Sequence, residues 1–276
     1  MAVQYLVILS EQDPVASALA EEWGTRPSIG EFVDGVALRR LGPTSLLLRR
    51  PGPHIHDERL DARLPPALRA ARVPLLFPSI HRSERGVPAL TVHPLGNPGG
   101  TADFGGQPRT LAPTAPRLMT STLRALAEED RETGLPVSFE ATHHGPTLEQ
   151  PAFFVEIGYP SESTPPTAAV RLLARVIPRL SAHEADRVAM GVGGGHYAPH
   201  FTDLALRRHW AFGHILSRHA IDGIDATTAE AAFRATPAAD GILFSRAEDA
   251  QRAPWPSVAP RLKDNEAAER PRRSSR

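Results

Sequence analysis

The chain has 276 residues, 41% hydrophobic and 22% charged, which suffices for one large or two small packed domains and excludes wholesale disorder. It contains no cysteine, so a disulfide framework, a thiolate nucleophile and a cysteine-based zinc site are all ruled out. Lysine plus arginine and aspartate plus glutamate number 31 each, a balance that argues against indiscriminate nucleic-acid binding by the whole surface but allows a local basic patch.

The first apolar run, "YLVILS" (Tyr5 to Ser10), reads as a buried strand. No basic leader or small-residue cleavage site accompanies it, and no later run reaches membrane-spanning length, so a cytoplasmic chain without membrane contact is expected. "SEQDPVASALAEEW" predicts a helix capped by Ser10 or Asp13 with Pro14 in its first turn. "VALRRLGPTSLLLRR" predicts two strands about a Gly-Pro turn, and "LPPALRAARVPLLFPS" a short helix and a buried strand. "ALTVHPLGN" is a further strand ending at His93. Residues 96–117 are rich in Gly, Pro and Thr and read as a long loop, a length that usually signals function. "APRLMTSTLRALAEEDRETG" predicts a helix with Leu118, Met119, Leu123 and Leu126 on one side and Gly134 past its end.

"LPVSFEATHHGP" then predicts a strand, "AFFVEIGYP" another, "PTAAVRLLARVIPRL" a helix, and "HEADRVAMGVGGGHYAP" a strand entering a glycine turn. "FTDLALRRHWAFGHILSRHAI" reads as a helix, a break, and a strand or short helix; "TAEAAFRAT" is a helix and "GILFS" a closing strand. The alternation predicts a layered α/β sandwich around a largely parallel mixed sheet, formed by a single domain over 1–253. From Pro254 to Arg276 no apolar periodicity is visible, and an arginine-rich disordered tail is expected there; Lys263 is the chain's one lysine.

Two stretches stand out. In "FEATHHGP" (139–146), Glu140, Thr142 and His144 alternate along an extended chain and should share a face, with His143 on the other unless the strand has already turned. One imidazole suits a general base or metal ligand, and the glutamate can orient it; the plain alternative is a hydrogen-bonded pair at a strand end. In "GVGGGHYAP", Gly193, Gly194 and Gly195 permit positive φ and a concave backbone nest for an anion, with His196 and Tyr197 placed to reach whatever it holds. The spacing is neither a dinucleotide fingerprint nor a P-loop. Both stretches follow strands, and in open α/β sheets ligands lie beyond the carboxyl ends of strands, so one shared site is expected.

Two weaker stretches add His81, Arg82, Ser83, Glu84, His93 and Asn97, where Arg82 can meet phosphate, and Arg207, Arg208 and His209 beside Trp210, a basic patch with a stacking aromatic. For that second patch a helix end with a half-buried Trp is an equal reading.

"EATHHGP" with "GGGHYAP", preceded by "HRSERG" and "LTVHPLGN" and followed by "FGHI", resembles the archaeal and plant type of D-aminoacyl-tRNA deacylase, in order over most of residues 3–245. The resemblance implies a fold related to peptidyl-tRNA hydrolases and nucleoside phosphorylases. It implies hydrolysis of the ester between a D-amino acid and tRNA, in plant members also of N-modified D-aminoacyl-tRNA. It further implies dependence on zinc, for which His143, His144, His196 and His200 are candidate ligands. The chain departs from the pattern after Gly158, where "YPSES" stands.

On this reading His143 or His144, oriented by Glu140 beside Thr142, activates water. Gly193 to Gly195 hold the oxyanion or a phosphate, and His196 and Tyr197 meet the ribose. His81, Arg82, His93, Asn97, Arg207, Arg208 and Trp210 grip the tRNA end. The partner is tRNA, with no membrane, and a monomer is compatible with the sequence. The rival readings are a phosphorylase or peptidyl-tRNA hydrolase on a similar sheet, and a non-catalytic tRNA- or nucleotide-binding module.

Overall fold

The structure, a computed structural model, describes residues 2–82, 88–160, 163–257 and 259–270. The chain opens with β1 (Tyr5–Ser10), α1 (Pro14–Trp23), β2 (Ser28–Val33), β3 (Val36–Arg40), β4 (Ser45–Arg50), α2 (Pro66–Ala70), β5 (Leu75–His81) and β6 (Ala89–Pro94). It continues through β7 (Gly96–Asn97), β8 (Thr110–Leu111), α3 (Pro116–Glu129), β9 (Val137–Phe139), β10 (Ala152–Gly158) and α4 (Thr167–Val176). The last part holds β11 (Arg187–Val192), α5 (Pro199–Arg207), β12 (Trp210–Leu216), α6 (Arg218–Ile221), α7 (Ala226–Arg234), β13 (Gly241–Phe244) and β14 (Arg261–Leu262).

Local chemistry explains the main helices. Asp13 caps α1 by accepting from the Val15 and Ala16 amides, each at 2.9 Å, and Gly24 ends it at φ 58°. Helix α3 buries Leu118, Met119, Leu123 and Leu126, the stripe its sequence shows. Among the described residues no helix is long and apolar enough to cross a membrane.

Eight strands form one mixed sheet in the order β2-β3-β4-β1-β5-β10-β6-β9. Its centre, β4, β1, β5 and β10, is parallel, and β6 runs antiparallel to β10. The central strands are buried on both faces and therefore read as continuous apolar runs. Tyr5, Val7 and Leu9 point into a core shared with α1, α3 and α4, whereas Leu6 and Ile8 point into a second core with Leu46, Phe77 and Phe154. A second, parallel sheet has the order β12-β11-β13-β14. Phe212 and Ile215 of β12 join the first core, so the two sheets share it.

The seam between the sheets is residues 140–142. The Glu140 amide donates to the Val92 carbonyl of the first sheet at 3.0 Å. The next two amides turn toward the second sheet: Ala141 donates to His196 O, in the turn after β11, at 2.8 Å and Thr142 to Ile215 O of β12 at 2.7 Å. One chain segment thereby brings both sequence motifs to the same place.

The layered α/β expectation holds, with two local corrections. The ambiguous stretch at 210–216 is strand β12. The expected disorder of the tail fails as far as Arg270: β14 pairs with β13, Trp210 Nε1 donates to Asp264 O at 2.8 Å, and Ala267 is buried. That segment is held chiefly through its backbone, which leaves no apolar period to read. Residues 271–276 lie outside the described residues.

Candidate active site

Glu156 is a lone acidic residue in the otherwise apolar strand β10. Its Cα pairs with Ser79 of β5 on one side and Thr91 of β6 on the other, so its carboxyl reaches imidazoles from both neighbours. Oε2 lies 3.1 Å from His81 Nδ1 and Oε1 lies 3.6 Å from His93 Nε2. Burial alone would push this carboxyl up, but the hydrogen bond to His81 and the nearby His93 imidazole hold it well below the usual carboxylate range. Burial likewise works against charge on His81 and His93, yet Glu156 with Glu140 outweighs it and raises both.

Glu140 follows β9, and its side chain is fully buried. Its carboxyl sits among three further contacts: His81 Nδ1 at 3.2 Å, His196 Nε2 at 3.3 Å and His143 Nε2 at 3.7 Å. None is aligned as a hydrogen bond, so both Glu140 oxygens, with His93 Nε2, are buried polar atoms lacking a hydrogen-bond partner. Native proteins rarely leave such atoms unsatisfied without a functional reason.

Backbone carbonyls fix three imidazoles in one tautomer. Nδ1 of His143 donates to Ala141 O at 2.8 Å, that of His144 to Gly145 O at 2.7 Å and that of His93 to Pro94 O at 3.2 Å. With the proton on Nδ1, the Nε2 atoms of His143 and His144 present lone pairs to the cluster, whereas that of His93 faces the Glu156 carboxyl. Burial and the neighbouring imidazoles push His143 well below its ordinary value and His144 down to about 4, so both are neutral at pH 7. Their rings meet edge to face at 4.5 Å, and His93 lies 4.0 Å from His143.

The structure brings together His81, His93, Glu140, His143, His144, His196 and Tyr197, whose hydroxyl is 3.2 Å from His81 Nε2. Glu156 is the residue that sequence reasoning missed. The available signal was a charge inside a fully apolar strand, a pattern that needs a buried partner.

Other expectations are corrected. The face alternation stops because β9 ends at Phe139 and His144 takes φ 44°, which puts His143 on the Glu140 side. Thr142 points away: its hydroxyl bonds His214 Nδ1 at 3.0 Å. His200, at the start of α5, faces Asp264 at 3.5 Å and is not part of the imidazole cluster. Asn97 braces the 96–117 loop by donating to Gly105 O at 2.9 Å rather than facing the cluster. The Gly193 amide donates to Leu216 O at 2.8 Å and is not free for an oxyanion. At φ 109°, a Cβ there would stand 2.2 Å from Ser245 Oγ and 2.3 Å from Asp249 Oδ2, so that glycine makes room for the buried Asp249 carboxyl that pairs with half-buried Arg218.

Trp210 is fully buried and pairs in register with Arg187 at the opening of β11, roughly 20 Å along the strand from the glycine turn. Its ring is not available to a base. Arg207 pairs with Asp203 and Arg208 with Glu269, so the expected basic patch is largely neutralised. Ser83 and Glu84 lie outside the described residues.

His214 secures the seam behind the cluster. Its Nε2 donates to Ala112 O at 3.0 Å and its Nδ1 accepts from Thr142, whose hydroxyl oxygen accepts from the Ile215 amide at 3.1 Å. Burial pushes its pKa down to about 4, against the weaker opposing pull of the Ala112 carbonyl. Unfolded, the same imidazole titrates near ~6.5. Between those values the unfolded chain binds more protons, so stability falls as pH drops from about 6.5 to about 4, by about 3 kcal/mol for this group. His214→Gln is expected to flatten that slope in denaturant melts at pH 6.5 and 4.5; an unchanged slope would contradict the assignment.

The cluster opens into a cavity of about 560 Å³ lined by His54, Arg82, Phe104, His143, His144 and His196 among others. Beyond His196 a second cavity of about 690 Å³ is lined by Gly194, Gly195, Tyr197, His200, Arg218 and Arg246 among others. The donor set suits a cation. Ligand atoms of His93, His143 and His144 lie within 4.8 Å of one another, as do those of His81, Glu140 and His196. Imidazole lone pairs fixed through Nδ1–H, beside carboxyl oxygens without aligned donors, fit zinc.

A family model described as D-aminoacyl-tRNA deacylase matches residues 71–259, which include every member of this cluster. The chain belongs to the D-aminoacyl-tRNA deacylase family. A D-aminoacyl-tRNA deacylase of Pyrococcus horikoshii is 37% identical over 213 residues, covering 75% of this chain and 76% of that protein. One of Methanoregula boonei is 48% identical over 165 residues, 59% of this chain but 36% of the relative, so the chain matches about a third of that longer protein. Among solved structures, a conserved protein of unknown function superposes with a TM-score of 0.76 at 30% identity, covering 88% of this chain and 86% of that one. Residues 5–70, which supply His54 to the cavity, precede the family match.

Proposed function

We propose that the chain hydrolyses the ester of D-aminoacyl-tRNA, releasing the D-amino acid and free tRNA. The carrying observation is that, in a member of this family, the two histidine-bearing segments meet on one buried carboxyl, Glu140. His196 is the half-exposed imidazole, with Nε2 held 3.3 Å from Glu140 and the rest of its ring open to both cavities. A carboxyl-oriented imidazole of this kind takes the proton of an attacking water as its oxygen bonds the ester carbon. Tyr197, held by His81, stands where the departing ribose oxygen can recover a proton. Gly194 and Gly195 line the neighbouring cavity and supply the backbone surface for the oxyanion or a phosphate.

Zinc, where bound, would be held by the Nε2 atoms of His93, His143 and His144 and would act as a Lewis acid on the ester or its attacking water. The low proton affinity of His143 and His144 suits ligands better than bases, because it keeps the lone pairs available at neutral pH. The reading places the protein in the cytoplasm, with charged tRNA.

The test compares hydrolysis of D-Tyr-tRNA and L-Tyr-tRNA by the purified chain, before and after chelation. D-Tyr-tRNA is expected to be deacylated and L-Tyr-tRNA spared, with chelation slowing the reaction and added zinc restoring it. Binding of tRNA without turnover, or phosphorolysis of nucleosides in its place, would overturn the proposal.

A further inference from the structure

Phe104 is 67% exposed at the mouth of the cavity that holds His143, His144 and His196. Only one other large hydrophobic side chain, Phe32, is comparably exposed among the described residues, and it lies on the edge strand β2. The loop that carries Phe104 is tightly built. Gly105 and Gly106 both take φ 78°. A Cβ on Gly105 would stand 1.8 Å from Ile55 O, and one on Gly145 would stand 2.2 Å from the Gly106 nitrogen. The Gly145 amide donates to Phe104 O at 3.2 Å. Glu58 joins the two loops, accepting from the Gly106 amide at 2.7 Å and the Thr147 amide at 2.8 Å. Asn97 closes the loop from the other side. This close backbone packing holds an apolar ring in water beside the histidines of the cavity.

We propose that the Phe104 ring is a stacking platform for the terminal adenine base of the tRNA substrate, an inference that rests on the reading of this site as acting on aminoacylated tRNA. The ester must reach His196 and the imidazoles set behind it. Of its two sides, the aminoacyl group ends there and can be enclosed, whereas the nucleoside continues into the tRNA and must leave through the mouth. A ring on the rim therefore meets the nucleoside. Every base has a π-face, and aromatic side chains are its usual partners in single-stranded ends. Arg82 lines the same cavity and offers a guanidinium for the adjoining phosphate. The arrangement also explains what the 96–117 loop and Asn97 are for.

The experiment measures kcat and KM for D-Tyr-tRNA and D-Ala-tRNA with the wild type, Phe104→Ala and Phe104→Trp, together with AMP binding by calorimetry and the Tm of each protein. Phe104→Ala is expected to raise KM roughly 10- to 100-fold for both acyl groups. Its kcat should stay within about twofold, AMP affinity should fall by a similar factor to the KM change, and Tm should be unchanged because the ring is exposed. Phe104→Trp should restore KM and AMP affinity. An unchanged KM would overturn the proposal. So would a loss confined to D-Tyr-tRNA with normal AMP binding, which places the ring against the amino-acid side chain, or a joint fall in Tm and kcat, which makes it structural. A wild type inert on D-Tyr-tRNA would defeat the functional reading alone, since AMP binding still decides the stacking.

Discussion

Glu140→Gln is expected to lower kcat for D-aminoacyl-tRNA hydrolysis by roughly 10²–10⁴-fold, the range over which positioned acid–base groups act, without loss of the fold. The side chain is fully buried, and His81, His143 and His196 approach its oxygens at 3.2, 3.7 and 3.3 Å. Glutamine keeps the volume but replaces one acceptor by a donor and removes the charge that orients His196. It cannot hold an imidazolium during proton transfer, and it is a poor partner for a cation. Stability should move the other way or stay level. A buried carboxyl without aligned donors is costly to the folded state, and a neutral amide relieves part of that cost. Rate measurements with denaturant melts separate the two effects. Full activity in Glu140→Gln would assign the residue to structure alone.

How far this site could be read in advance depended on whether the signal was local. The glycine turn and the paired histidines are contiguous, and each follows an apolar run, so their place after strands was legible from periodicity. Helices α1 and α3 were legible from Asp13, Pro14 and the Leu118–Leu126 stripe. The central member Glu156 was not, because its contacts come from sheet order: β10 sits between β5 and β6, and only that order puts one carboxyl between His81 and His93.

Strand alternation gives the facing of Thr142 and His143 only while the strand lasts; it ends at Phe139, where the chain leaves one sheet to bond the other. Trp210 looked like a stacking surface from its arginine neighbours. The parallel register with β11 instead puts it at the far end of the second sheet, under the segment around Asp264. That segment carries no period because its backbone, more than its side chains, secures it.

The second large effect concerns His144 and His196, more than fifty positions apart in sequence and joined in one cluster. Each alanine substitution alone is expected to lower kcat/KM by roughly 10²–10⁴-fold. Groups acting in one constellation are strongly non-additive, because removing either disables the unit in which the other works. His143 stands between them, 4.5 Å from His144 and 4.8 Å from His196 by ring centres, so the coupling has a physical path. The deciding measurement is kcat/KM on D-Tyr-tRNA for the wild type, His144→Ala, His196→Ala and the double variant, with folding checked by Tm. A single centre predicts that the double variant is about as slow as the slower single one. Losses that multiply in full would mean the two histidines serve separate tasks, and the shared centre on Glu140 would have to be given up.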